Sequence, residues 1–175
     1  AGEQALSLLD LSVRQKRDSV LRVFTLETRP GLSRMDVKVR LGGTQATAEL
    51  FGLALLGGTD RSYHHIQVDH LVPHTQSCQV YKSVLAGSAQ FEYDSLVTVH
   101  PEADHASSDQ LNKNLLLSDS ARAFARPQLA IGTDEVQCHH GATVGQMNAE
   151  ELQYLRTRGI DPRSASALML LGFVD

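Results

Sequence analysis

Between Met35 and Leu41 the chain alternates without a break. Met35, Val37, Val39 and Leu41 fall on one side of an extended backbone, Asp36, Lys38 and Arg40 on the other, and Gly42-Gly43 ends the run. A period of two with this contrast predicts a half-buried strand. The grammar is already present where Leu6, Leu8, Leu9 and Leu11 crowd together and where Leu21, Val23, Phe24 and Leu26 lead to the turn signal Arg29-Pro30-Gly31. It returns over 44–51, over 53–56 before Gly57-Gly58, over 63–72 before Pro73, over 79–85 before Gly87 and over 89–100 before Pro101. Asn112 and Asn114 beside Leu115-Leu116-Leu117 predict a further buried segment, another follows over 127–131, and Val136, Cys138 and His140 close the series. Short strands punctuated by turns suit two architectures, an antiparallel sandwich or barrel and a parallel β-solenoid. Period alone leaves both open, although small residues at the turns and few aromatics are compatible with the narrow interior of a solenoid.

After residue 145 the period changes. Asn148 followed by Glu151 forms a capping box, Met147 and Leu152 occupy the positions of a hydrophobic staple, and Leu152 and Leu155 mark an apolar face. Gly159 ends this helix, with Arg156 and Arg158 in its last turn. Asp161-Pro162 then opens a second helix with Ala165, Leu168, Met169 and Phe173 on one side. A β-domain over 1–145 and a helical hairpin over 146–175 are therefore expected. A hairpin this short holds no core of its own and must dock on the β-domain, on a partner, or on both.

With 175 residues, 42% apolar and 21% charged, the chain has the composition of a globular protein with one main core. A net charge of −4 with no basic cluster beyond Arg14-Gln15-Lys16-Arg17 argues against a nucleic-acid or anionic-membrane surface. No apolar stretch is long enough to span a bilayer. Two cysteines, Cys78 and Cys138, are too few for a disulfide framework and fit a reducing compartment, so a cytoplasmic location is expected. The sequence opens at Ala1 inside patterned sequence, which suggests a core shortened at its N-terminal side.

The densest chemistry is Cys138-His139-His140-Gly141-Ala142-Thr143. In a strand, residues i and i+2 share a face, so Cys138 and His140 would offer a thiol and an imidazole to one ligand while His139 points the other way. A neighbouring imidazolium would lower the thiol pKa. The bland alternative makes Cys138 a small buried hydrophobe and His140 a hydrogen-bonded strand residue. His64, His70 and His74 invite a different reading, a cupin-like metal-dependent enzyme. Against it, Pro73 separates His70 from His74, and His64, Asp69 and His74 do not share one strand face. A hydrolase nucleophile elbow and a phosphate-binding loop are both missing from the sequence.

The segment 138–145, followed by Tyr154-Leu155-Arg156-Thr157-Arg158-Gly159-Ile160, resembles the Cys-x-His-Gly-Ala-Thr signature and the Tyr-Leu-x-x-Arg-Gly-Ile element of the SufB/SufD family, in its SufD branch. Asp69-His70-Leu71-Val72-Pro73-His74, the run 110–118, Arg126-Pro127-Gln128-Leu129 and Asp134-Glu135-Val136 agree in the same order. The resemblance implies an all-β, right-handed parallel β-helix with a small C-terminal helical domain. It further implies a non-enzymatic scaffold subunit of the SUF iron-sulfur cluster assembly system, in the cytoplasm or a plastid stroma. Such subunits pair with a SufB-type paralogue and bind the SufC-type ATPase. His140, with Cys138 beside it, is then the cluster-assembly residue at the heterodimer contact, and His140 an iron or cluster ligand together with a partner cysteine. A transient cluster or iron belongs to that contact, and no cofactor is expected in the isolated chain. Leu152, Tyr154, Leu155 and Leu168 would face the ATPase. SufB-type chains carry Glu at the position of Gly141 and Cys near that of Asn112, so this sequence lacks part of the SufB site. A strand edge left open by the last turn also predicts a homodimer when the paralogue is absent.

Overall fold

The computed structural model describes residues 5–28 and 31–175; the Arg29-Pro30 part of the expected turn lies outside the described residues. Ten strands alternate between two sheets. β1 (Leu6–Gln15), β3 (Leu32–Leu41), β5 (Arg61–His70), β7 (Gln90–Val99) and β9 (Arg122–Ile131) stack in that order. Facing them are β2 (Val20–Thr28), β4 (Thr47–Leu56), β6 (Gln76–Leu85), β8 (Ser107–Leu116) and β10 (Gln137–Gln146). Every pairing is parallel, and each strand pairs with the one two places on, so the chain winds as a two-sided β-solenoid of about five turns. The sandwich reading of the strand series falls away, because consecutive strands are not neighbours in either sheet.

Register without slippage explains why the alternation is so clean. Met35, Val37, Val39 and Leu41 stand next to His64, Ile66, Val68 and His70, and these next to Tyr93, Ser95, Val97 and Val99, all of them inside. A one-residue slip would turn each set out to water. The two stretches read as separate strands over 44–51 and 53–56 are one strand, β4, with Gly52 at its middle. That glycine leaves room: a Cβ there would lie 2.3 Å from the Tyr81 ring of the next turn. One corner of the coil places Asp18, Gln45, His74 and His105 in the left-handed region at successive turns. Main-chain bonds tie that column together, from Gln45 N–H to the His74 carbonyl at 3.1 Å and from His74 N–H to the Asp104 carbonyl at 3.0 Å.

The hairpin follows directly. α1 (Ala149–Thr157) is capped by Asn148, whose side chain accepts from Glu150 N–H at 2.9 Å, and α2 (Pro162–Val174) by Asp161, with Pro162 in its first turn. The end of α2 reaches the outer face of the β2-β4-β6 sheet, where the Lys82 ammonium donates to the Val174 carbonyl at 3.0 Å and sits 6.0 Å from the Phe173 ring centroid. No helix is long and apolar enough to cross a membrane among the described residues.

Candidate functional site

In a solenoid an inward position is repeated at every turn, so a polar side chain inside finds its partners directly above and below. The β6-β8-β10 side uses this. Ser77, Ser108 and Cys138 form one ladder, Gln79, Gln110 and His140 the next, Tyr81, Asn112 and Ala142 a third, and Ser83, Asn114 and Val144 a fourth. Ser77, Ser108, Gln79, Gln110, Asn112, Asn114 and Ser83 are all buried. His70 is bonded to Thr75 at 2.8 Å and to Ser77 at 2.9 Å, and Ser77 is in turn bonded to Ser108 at 2.9 Å. Gln79 accepts from the hydroxyls of Tyr93 and Ser95. Asn114 binds upward to the Thr143 carbonyl of β10 at 3.1 Å.

β10 is the last member of these ladders, so its inward face is a floor without a ceiling among the described residues. Cys138 and His140 share that face, as the i, i+2 spacing predicts, with Ser108 and Gln110 beneath them. Cys138 is half-buried against the core and His140 is exposed. His139 pairs with Asp109 on the opposite face and is exposed there, apart from the Cys138–His140 face. Gly141 also faces outward; a Cβ on it would meet only Leu111 Cδ1, at 3.8 Å, so packing within the chain does not require a glycine.

The thiol departs from expectation. Burial pushes the Cys138 pKa up, with the Asp109 carboxylate adding to the rise, and a backbone hydrogen bond from Ser108 opposes both. Cys138 is thus held as a protonated thiol at neutral pH rather than an activated thiolate.

His64, His70 and His74 are not gathered into a metal centre. The His64 imidazole is buried against Glu27 at 3.1 Å, His70 is taken up by Thr75 and Ser77, and His74 stacks on His105 at the corner with ring centroids 4.9 Å apart. Among the described residues no cluster of three or more His, Cys, Asp or Glu side chains can hold a metal ion. Glu27 is the residue that sequence reasoning missed. It lies on an inward position of β2, where burial alone would raise its pKa. The hydrogen bond and Coulombic attraction of His64, with hydrogen bonds from Ser33 and Ser62, outweigh that and hold it at about 2. A lone Glu in an alternating strand carries no local signal of such partners, since Ser33, Ser62 and His64 come from the next two turns.

Of the residues expected to face the ATPase, Leu152 and Leu155 are half-buried, whereas Tyr154 is 59% exposed and Leu168 50%. α2 turns Ala165, Met169 and Phe173, spaced by four, inward, so Leu168 leaves the face on which the sequence placed it. It joins Leu171, 67% exposed, which the sequence reading did not single out.

Comparison with known proteins gives this geometry a family. The model of the SUF system FeS cluster assembly SufBD core domain matches residues 1–173. An iron-sulfur cluster assembly SufBD family protein of Synechocystis is 32% identical over 162 residues, covering 93% of this chain and 36% of that protein. The iron-sulfur cluster assembly protein SufD of Escherichia coli is 29% identical over 140 residues, 80% of this chain and 33% of its own. A chloroplastic protein of Arabidopsis thaliana, ABCI7, is 31% identical over 164 residues, 92% of this chain and 34% of its own. The chain spans about a third of the length of these relatives. A match along nearly its whole length, on a solenoid whose last strand carries the Cys138-His139-His140-Gly141 motif, places the chain in the SufBD family of SUF-system iron-sulfur cluster assembly proteins.

Proposed function

We propose that the chain is the C-terminal core of a SufD-type scaffold subunit, without enzymatic activity of its own, that pairs with a SufB-type paralogue across β10 and binds the SufC-type ATPase through its hairpin. The observation that carries this reading is the placement of Cys138 and His140 side by side on the uncovered inward face of the terminal strand. A neutral imidazole and a thiolate, the latter formed when the Cys138 thiol releases its proton on binding, are suitable ligands for iron, which here is cargo, and a partner strand laid over β10 would bring its own thiolate to the same face. Two features favour SufD over SufB. Asn112 is buried and donates to the Tyr81 carbonyl at 3.1 Å, so a structural amide occupies the position near which SufB-type chains carry Cys. Gly141 offers an outward surface with no side chain in the way.

Reconstitution with the SufB-type paralogue and the ATPase tests the reading. His140→Ala is expected to leave complex formation intact and to reduce cluster yield sharply, with a smaller loss for Cys138→Ser. Full cluster yield from the His140→Ala complex would overturn the assignment of His140.

A further inference from the structure

The ladder below His140 contains an unfinished bond. Gln110 is 2% exposed, and its Nε2 donates to the Gln128 carbonyl of β9 at 3.3 Å. This contact decides which end of the amide is which, because an oxygen facing that carbonyl would be repelled. It also shows where the side chain goes: from β8 it climbs to β9, a strand of the last turn, which is the turn that carries His140. The remaining atom, Oε1, is buried and has no hydrogen-bond partner among the described residues. A buried acceptor without a donor is destabilising unless another state supplies one. Gln79, one turn below, has its own Oε1 occupied by Tyr93 and Ser95 and an Nε2 also without a partner. The two lone pairs of Gln110 Oε1 admit Gln79 from below and a second donor from above. The residue directly above in the register is His140.

We propose that Gln110 is the positioning residue for His140: Oε1 accepts the imidazole N–H that turns inward when the site is loaded, leaving the other ring nitrogen unprotonated and directed out of the last turn toward the metal. This rests on the reading of His140 as a ligand of assembling iron. Histidines that bind metals commonly donate their second nitrogen to such an acceptor, which fixes the tautomer and ring orientation. Here the acceptor comes from the solenoid itself, on a side chain anchored to β9 through the Gln128 carbonyl. The pair belongs to one subunit, so the imidazole is oriented before a partner contributes its thiolate.

The test uses Zn2+ as a diamagnetic probe of the Cys138–His140 face, in a His139→Ala background that removes the adjacent imidazole. Binding is followed by calorimetry and by 15N spectra of labelled histidine. Gln110→Met, which keeps the length and loses the acceptor, is expected to weaken zinc binding about tenfold or more, the usual effect of deleting such a partner. The zinc-bound wild-type spectrum is expected to show a single metallated nitrogen on His140, and loss of the Gln110 acceptor to blur that preference. Gln110→Asn, which withdraws the acceptor, replaces Gln110→Met should the latter not fold. Zinc affinity unchanged by loss of the acceptor, with His140→Ala abolishing binding, overturns the role of Gln110 and leaves the ligand role of His140 standing. Zinc affinity unchanged by His140→Ala overturns both.

Discussion

Cys138 and His140 stand on one inward face of β10, separated by the outward His139, with a buried Ser108 beneath the thiol and a buried Gln110 beneath the imidazole. The pair therefore has a built floor and an open top. Its two members differ in character, since the thiol is packed against the core while the imidazole is exposed. His140→Ala is expected to change stability by less than about 0.5 kcal/mol, the ordinary range for an exposed side chain. Cys138, its pKa raised by burial, is expected to be alkylated more slowly at pH 7 than a free thiol in a Cys78→Ser background, with a rate midpoint displaced to higher pH. A rate equal to that of free cysteine would show the thiol to be unprotected.

Two glycines of the same sheet, Gly52 in β4 and Gly141 in β10, are expected to behave oppositely. A Cβ at Gly52 overlaps the Tyr81 ring and comes within 2.9 Å of Thr25 Oγ1, so Gly52→Ala forces a buried aromatic aside and is expected to cost about 1–3 kcal/mol in urea denaturation. Gly141→Ala meets only Leu111 Cδ1 and is expected to leave the unfolding midpoint unchanged. If Gly141 is kept small for a partner backbone, a larger residue there weakens pairing with the paralogue without unfolding the subunit.

Stability is expected to fall with acid in two steps. Burial holds the His70 pKa down at about 4, so between 6.5 and 4 the unfolded chain binds a proton that the folded chain refuses, and stability drops as pH falls through that window. The full step is about 3 kcal/mol. Glu27 acts lower: its carboxylate stabilises the fold above the ordinary 4.5 and loses that contribution as pH falls to about 2, a further ~2 kcal/mol after allowance for its partial exposure. Urea midpoints measured from pH 7 to 2 check both. The slope between 6.5 and 4.5, above the Glu27 window, should disappear in His70→Gln, and its persistence would place the proton elsewhere.

On the hairpin, Tyr154, Leu168 and Leu171 are exposed while Leu152 and Leu155 are half-buried. Replacing the exposed three by Ser is expected to abolish capture of the SufC-type ATPase with helicity retained. Leu152→Ala or Leu155→Ala should instead loosen the hairpin itself. Capture that survives the triple substitution, or deletion of residues 148–175, would move the ATPase contact onto the solenoid.

Among the described residues each sheet ends in the last turn, at β9, which exposes Phe124 and Ile131, and at β10, which exposes Val144. Such an edge favours self-association when no other strand covers it. Light scattering is expected to show a homodimer growing with concentration, and Val144→Lys to shift the balance to monomer. A monomeric mass at high concentration in the unsubstituted chain would count against the edge.

Sequence alone determined the strand periodicity, the two helix caps and the sharing of one face by Cys138 and His140, because each depends on neighbours within a few residues. A period of two fixes the faces of Met35 to Leu41 whatever they pack against, and Asn148 or Asp161 caps a helix through its own next residues. The parallel solenoid was legible only through the ordered motifs of a known family, since period cannot say which strand lies beside which. Tertiary structure alone decided that Glu27 meets Ser33, Ser62 and His64, and that Gly52 makes room for Tyr81. It also decided that Cys138 is a protonated thiol rather than an activated one. Apart from Glu27 with Ser33, six residues apart but on consecutive turns, these relationships join positions roughly thirty or more residues apart in sequence, and the register that aligns them is set by the summed burial of all ten strands rather than by any local pattern.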